Sequence, residues 1–326
     1  MTHATALPPE MAEDGPGSAG IRRVWSAGRR VDLVGTLAQL CRGDGDLANH
    51  FDRATGVFWR ACATPQGDVT LAVRLQARED DGDVVAARAW GPGAAWALAT
   101  VPALLGGDAP EPAIDLSGHP RLHEVARRNP GLRQPATGLV LDQLLPTILE
   151  QKVTGMQAHR AWRGLLRRYG RPAPGPNPNL RVPPAAETVL QIPTWVWHRL
   201  DVDHSRVRAL RAAATVARRL EECAAMEPEA ALARLRSVPG IGVWTAAEVA
   251  QRAFGYEDAV SVGDFHLPSS VVHFFTGRAR GSDEEMLELL EPWRGHRQRI
   301  IRLVLLAGVH KPKFGPRYAP LDMRAF

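Results

Sequence analysis

The apolar period changes once along the chain, near residue 115, and this change limits the fold more than any other feature of the sequence. Before it the pattern is that of strands. In "DVTLAVRL" Val69, Leu71, Val73 and Leu75 fall on one face, the two-residue period of a half-buried strand. "GVFWRAC" precedes it across "ATPQG", and "VVAARAW" follows across "REDDGD", with turn signals that suit a meander. "GPGAAWALATVPALLGG" then reads as a helix bounded by glycines. Residues 21–114 are therefore expected to form an α+β domain. Beyond 115 the strand pattern disappears. "LVLDQLLPTILEQKVTGMQAHRAWRGLLRRYG" is helical in composition and period, with Pro146 expected to kink a helix or begin one. "RPAPGPNPNLRVPPAAE" is a proline-rich connection, and helical stretches follow near 185–191, 194–201, 204–225, 228–237 and 243–254. The expectation is a mainly α chain with an N-terminal α+β domain and a helical domain over 115–310. Residues 1–20, polar and rich in Pro, Gly and Ala, are expected to be a disordered tail, and 311–326 an extended one.

No run of about 18 apolar residues is present, so no membrane span is expected. The first residues lack the basic start and apolar core of a secretory leader. The formal charge of +5 and pI of about 9.5 permit a polyanionic partner without requiring one. Cys41, Cys62 and Cys223 lie far apart in sequence, with neither metal-ligand spacing nor a disulfide framework. They read as small, partly buried residues of a cytoplasmic protein.

"LRSVPGIGVWTAAEV" ends one helix-like stretch at Pro239-Gly240-Ile241-Gly242 and begins another at once. Glycine there lets another molecule approach the main chain. The next helix opens with free N–H groups and a partial positive charge, so the pair makes an anion site from backbone alone. An αα-turn that needs glycine for its own geometry is the plainer alternative. Leu235, Val238 and Ile241 supply apolar anchors.

With its flanks, the hairpin resembles a known family. "VPGIGVWTA", a helix, and then Asp264 after "SVG" are similar to the helix–hairpin–helix DNA glycosylase superfamily, in its DNA-3-methyladenine glycosylase II branch. "LVLDQLLPTILEQKVTGMQA" upstream and "LLEPWRGHRQRI" downstream resemble further segments of that family, so the likeness covers roughly residues 115–308. The resemblance implies a two-lobed helical fold with the active-site cleft between the lobes. It implies a monomer acting on double-stranded DNA that contains damaged bases. Asp264 matches the catalytic aspartate, and Trp244, Phe265 and Trp293 match base-pocket positions. Contacts to DNA are implied at Val238, Gly240, Ile241, Gly242 and Thr245, and at Gln151 and Lys152; Arg294, His296 and Arg297, near the start of the last long helix, are placed to reach phosphates. No metal site or cofactor is expected, although carbonyls of such a hairpin can hold a monovalent cation.

Each assignment has a plainer alternative. Asp264 in "GDFHLPSSV" suits a helix N-cap, and Trp244, Phe265 and Trp293 suit core or helix packing. Lyase-competent members of the superfamily carry a Schiff-base lysine where this chain has Trp244, so a monofunctional enzyme is expected. The family's wedge position, which fills the gap left by a flipped base, falls on Lys152 rather than on an apolar residue. Gln151 and Met156 are alternatives. His266 neighbours Asp264, but the motif gives it no role. Glu248, one turn after Trp244, faces either pocket or solvent. No cysteine follows Cys223, so the four-cysteine iron–sulfur cluster of some members cannot form. The expected activity is excision of alkylated purines. The alternatives are a glycosylase for oxidised or deaminated bases and a non-catalytic lesion-binding protein.

Overall fold

The computed structural model describes residues 20–107 and 113–309. The tails expected at 1–20 and 311–326 lie outside the described residues, apart from Gly20. Among the described residues no helix is long and apolar enough to cross a membrane.

The first part is an antiparallel five-stranded sheet in the order β1-β5-β4-β3-β2. Its strands are β1 (Ile21–Ser26), β2 (Asn49–Asp52), β3 (Val57–Thr64), β4 (Gly67–Glu79) and β5 (Gly82–Trp90). The three central strands are those the alternation predicts. β1 and β2 escape it because β1 is largely exposed and β2 spans four residues. Helices α1 (Leu33–Leu37), α2 (Ala94–Ala99) and α3 (Val101–Leu104) cover one face, packing with Phe58, Leu71, Val73 and Val85. α2 stops at Thr100, ahead of Pro102, so the single helix expected there is two short ones.

The other face is buried too, which corrects the expectation of half-buried strands. Val57, Trp59, Ala61, Ala72 and Trp90 pack there against Leu180 and Val182 from the proline-rich connection. Trp59 and Trp90 stack with ring centroids 5.8 Å apart. The connection reaches the sheet through the two-residue strands β6 (Arg171–Pro172) and β7 (Arg181–Val182), too short to show a period in sequence. Strand structure therefore does not end at 115.

The remaining helices form two cores. α5 (Val140–Leu149), α6 (Gly155–Tyr169), α7 (Ala186–Gln191), α8 (Thr194–Arg199), α9 (His204–Thr215), α10 (Ala217–Glu221), α11 (Pro228–Arg236) and α12 (Val243–Ala253) build the first. α4 (Pro120–Arg128), α13 (Leu267–Thr276), α14 (Asp283–Leu290) and α15 (Arg297–Leu306) build the second. α5 continues through Pro146 rather than breaking at it. The chain enters the second lobe at α4, crosses to the first for α5 to α12, and returns for α13 to α15. Residues 254–266 make the return, and Asp264 lies on that crossing.

Arg206 on α9 fixes the corner beside it. Only 1% exposed, it donates to the carbonyls of Leu149 (2.9 Å) and Asp201 (2.8 Å) and to the Asp203 carboxylate (2.6 Å). Asp203 in turn caps α9. The guanidinium thus satisfies the end of α5, where helix carbonyls lack internal partners. Arg206→Met should cost on the order of 3 kcal/mol, because two buried carbonyls lose their donor. Chemical denaturation checks this, and a loss below ~1 kcal/mol would show that water replaces the guanidinium.

Candidate active site

The two hairpin glycines serve different ends. Gly240 has φ +89, and a Cβ there would lie 2.7 Å from the Ala209 Cβ on α9. Gly242 caps α12 in extended backbone, is exposed, and a Cβ on it would meet open space. Gly240 is therefore required by packing within the protein. Gly242 leaves the first N–H groups of α12 open to an outside group, with no side chain capping them. Val238 and Ile241 are each 5% exposed and anchored in the first core, so they can offer a ligand only main-chain atoms.

Gln151, just past α5, donates its amide to the Gly240 carbonyl (2.9 Å) and the Thr245 hydroxyl (2.8 Å). This bond explains both residues better than the expected DNA contact does. Thr245 is 2% exposed and holds Gln151, while Gln151 braces the hairpin. Lys152 follows at φ +55, a left-handed conformation uncommon for a side-chain-bearing residue, and is exposed. The Val238 and Gly240 carbonyls already accept hydrogen bonds from Ile241 N–H and Gln151, which leaves each one lone pair for a cation. Among the described residues no group of three or more His, Cys, Asp or Glu gathers as a metal site.

Asp264 uses both carboxylate oxygens. Oδ1 accepts the backbone N–H groups of His266 and Leu267, each at 2.8 Å, at the start of α13. Oδ2 accepts the indole N–H of Trp244 at 3.1 Å. The capping role and the approach to Trp244 thus coexist in one side chain. Both residues are half-buried. Phe265 is 80% exposed, its ring edge-on to His266, so it stands at the rim rather than in a pocket.

A polar network holds the Asp264 loop from behind. Ser261, 2% exposed, accepts the Asp264 N–H on its carbonyl (3.2 Å), and its hydroxyl donates to Glu248. Gln251 donates to that hydroxyl (2.9 Å) and to the Ala259 carbonyl (2.8 Å), and itself accepts from Gln298 of α15 (2.9 Å). Glu248 therefore faces inward, paired with Arg252 at 2.7 Å. Burial pushes its carboxyl up, but Arg252 and Ser261 outweigh that and hold it below the usual carboxylate range. Arg252 also donates to the Gln39 carbonyl (2.9 Å), tying this network to the sheet-bearing part. Sequence reasoning missed Gln251, Ser261 and Gln298. The available signal was a glutamine among the buried alanines and valine of α12.

Two other assignments need correcting. Trp293 lies in the second core, stacked on Phe275 (5.7 Å) and donating its indole N–H to the Asp115 carbonyl (2.8 Å). Burial of its ring beside Phe275 and His119 keeps it from a base pocket. Arg297 makes a bidentate pair with Asp258 (2.8 and 2.6 Å), and its backbone N–H bonds the same carboxylate, so it is committed to holding α15. Arg294 is exposed and pairs with Glu291 at 2.6 Å, a surface pair that a phosphate can displace at little cost.

The unequal glycines give a direct test. Gly240→Ala should lower stability by on the order of 1–3 kcal/mol, through its positive φ and the clash with Ala209. Gly242→Ala should leave the melting temperature unchanged. Equal losses in thermal melts would mean that Gly242 is also required by the fold.

No protein-family model matches the sequence, and no curated protein matches it. Solved structures do. A 3-methyladenine DNA glycosylase from Archaeoglobus fulgidus is similar at a TM-score of 0.72 and 18% identity, over 88% of this chain and 98% of that one. MBOgg1 in complex with a low-affinity DNA ligand is similar at 0.66 and 14% identity, over 89% and 98%. The 8-oxoguanine glycosylase/lyase of Clostridium acetobutylicum is similar at 0.63 and 11% identity, over 89% and 98%. Each likeness extends beyond the helical lobes into the sheet. The chain therefore has the fold of the helix–hairpin–helix DNA glycosylases.

Proposed function

We propose that the protein is a monofunctional DNA glycosylase, acting as a cytoplasmic monomer, that excises alkylated purines of the 3-methyladenine and 7-methylguanine type from duplex DNA. The observation that carries this reading is the contact between the Asp264 carboxylate and the Trp244 indole N–H, two residues past an exposed hairpin. The similarity to a 3-methyladenine DNA glycosylase of A. fulgidus supports it.

The chemistry is hydrolysis at the C1′ carbon of the sugar. Alkylation at N3 or N7 makes the purine cationic and a good leaving group. As the C1′–N bond breaks, its electron pair leaves with the base and the sugar gains oxocarbenium character. Ionised Asp264 stabilises that charge and orients the water that bonds to C1′, whose proton passes to the carboxylate or to solvent. Trp244 offers its ring face to the cationic base, a contact worth about 0.5–2 kcal/mol. An indole forms no imine, so the abasic strand is left intact. Lys152, the only lysine among the described residues, lies on the turn after α5. The hairpin N–H groups hold a phosphate while the base is flipped out, at a cost of a few kcal/mol. Gln151 is committed to the hairpin, so the side chains free to fill the gap are Lys152 and Met156, both exposed.

Methylated duplex DNA incubated with the purified protein should release 3-methyladenine or 7-methylguanine without strand scission. Asp264→Asn should slow release by about 10²–10⁴-fold. Release of 8-oxoguanine or uracil instead would replace the substrate assignment, and undiminished release by Asp264→Asn would remove the mechanism. Glu248→Gln should slow release about tenfold at saturating DNA by loosening the Ser261 loop, with affinity for undamaged duplex unchanged. Gly242→Ala should weaken binding to damaged and undamaged duplexes alike. A change in lesion choice alone would argue against a phosphate clamp.

A further inference from the structure

Away from Asp264, one face of α6 carries Arg160, Arg163 and Arg167 at three- and four-residue spacing. With Gly164, Arg199, Leu200 and Asp201 they line a hollow of about 240 Å³. Its floor is built by close packing: a Cβ at Gly164 would lie 2.6 Å from Leu200. Among the described residues no carboxylate pairs with Arg160, Arg163, Arg167 or Arg199. The Arg199 guanidinium lies 4.8 Å from the ring centroid of Trp195, which is 57% exposed. Arg199 and Trp195 also border a second, larger hollow of about 660 Å³, mainly apolar, that includes His204 and Val207 of α9.

We infer that this arginine cleft is a second phosphate-binding surface, which takes the backbone of duplex DNA flanking the lesion. Three observations carry it. First, four arginines line one cleft in which Asp201 is the one lining carboxylate, and such an excess of positive charge is matched by a polyanion. Second, Arg160 and Arg167 are about 10 Å apart along the helix axis. That is about three phosphate-to-phosphate rises of one strand along the duplex axis. Third, the cleft adjoins the hairpin through one helix. The larger hollow shares Arg199 with the cleft and is bordered by His204 and Val207 of α9, whose Ala209 packs on Gly240. Arg206 joins the two regions again, bonding the Asp201 carbonyl on the cleft wall and the Leu149 carbonyl two residues before Gln151. The exposed Trp195 lines the larger hollow beside Arg199. Asp201, 8% exposed, is the carboxylate among the lining residues of the smaller hollow.

The inference rests on the DNA-binding reading above, and its test separates the two. Arg160 and Arg167 are exposed, so R160Q/R167Q should keep the wild-type melting temperature. Affinity for an undamaged duplex is measured by fluorescence anisotropy across a salt series. The slope of log affinity against log salt should become shallower by about 1 for each arginine removed. Binding at moderate salt should weaken several-fold, while base release at saturating DNA stays at the wild-type rate. An unchanged slope in a variant that still folds overturns the cleft and leaves the hairpin reading standing. A wild-type protein that binds no duplex at all overturns both.

Discussion

One carboxylate has to serve two structures at once, and the path of the chain makes this possible. Asp264 stands where residues 254–266 leave the first helical lobe for the second. Its Oδ1 starts α13 by accepting two main-chain N–H groups, and its Oδ2 reaches back to the indole at the head of α12. A side chain inside either lobe would find partners on one side only. The crossing supplies both, and leaves the group half-buried instead of sealed in a core. Much of the surrounding polar architecture serves to keep that crossing in place. Ser261, Gln251 and Gln298 link it to α12 and α15, and Glu248 with Arg252 closes the network from below. Hydrogen bonds join these groups into a connected network in low dielectric, where a missing member costs more than a single bond.

The charged residues divide by what holds them. Arg206, Arg252 and Arg297 are engaged with carboxylates and carbonyls, and they set the positions of helix ends and loops. Arg160, Arg163, Arg167 and Arg199 border an open cleft instead. Composition cannot distinguish the two sets, since an arginine reads the same in either. Their difference lies in the neighbours that folding brings up, such as Asp258, which reaches Arg297 from 39 residues away.

What the sequence revealed follows the range of each interaction. β3, β4 and β5 were legible because alternation is local. The hairpin was legible because Gly240 and Gly242 sit in a short, rigid motif between two helices. Asp264 and Trp244 were found from motif order, but their hydrogen bond joins residues 20 positions apart and only the fold displays it. Trp293 was misplaced because a tryptophan after a proline reads equally as pocket or core, and the contact that decides, to Asp115, spans 178 residues. Thr245 is a DNA contact by motif position, but the folded chain brings Gln151 against its hydroxyl from 94 residues away. Strands β6 and β7, at two residues each, carry no period to read.

Those two short strands have a consequence for the molecule's history. They lay the 171–182 segment across the back of the sheet, where Leu180 and Val182 cover Trp59 and Trp90. The segment works as a strap, sent out from between α6 and α7 of the first helical lobe to shield a surface built by the other end of the chain. A descendant that shortened this connection would strip the cover from a stacked tryptophan pair and leave a sticky patch. A shorter connection is therefore compatible only with a less apolar back to the sheet.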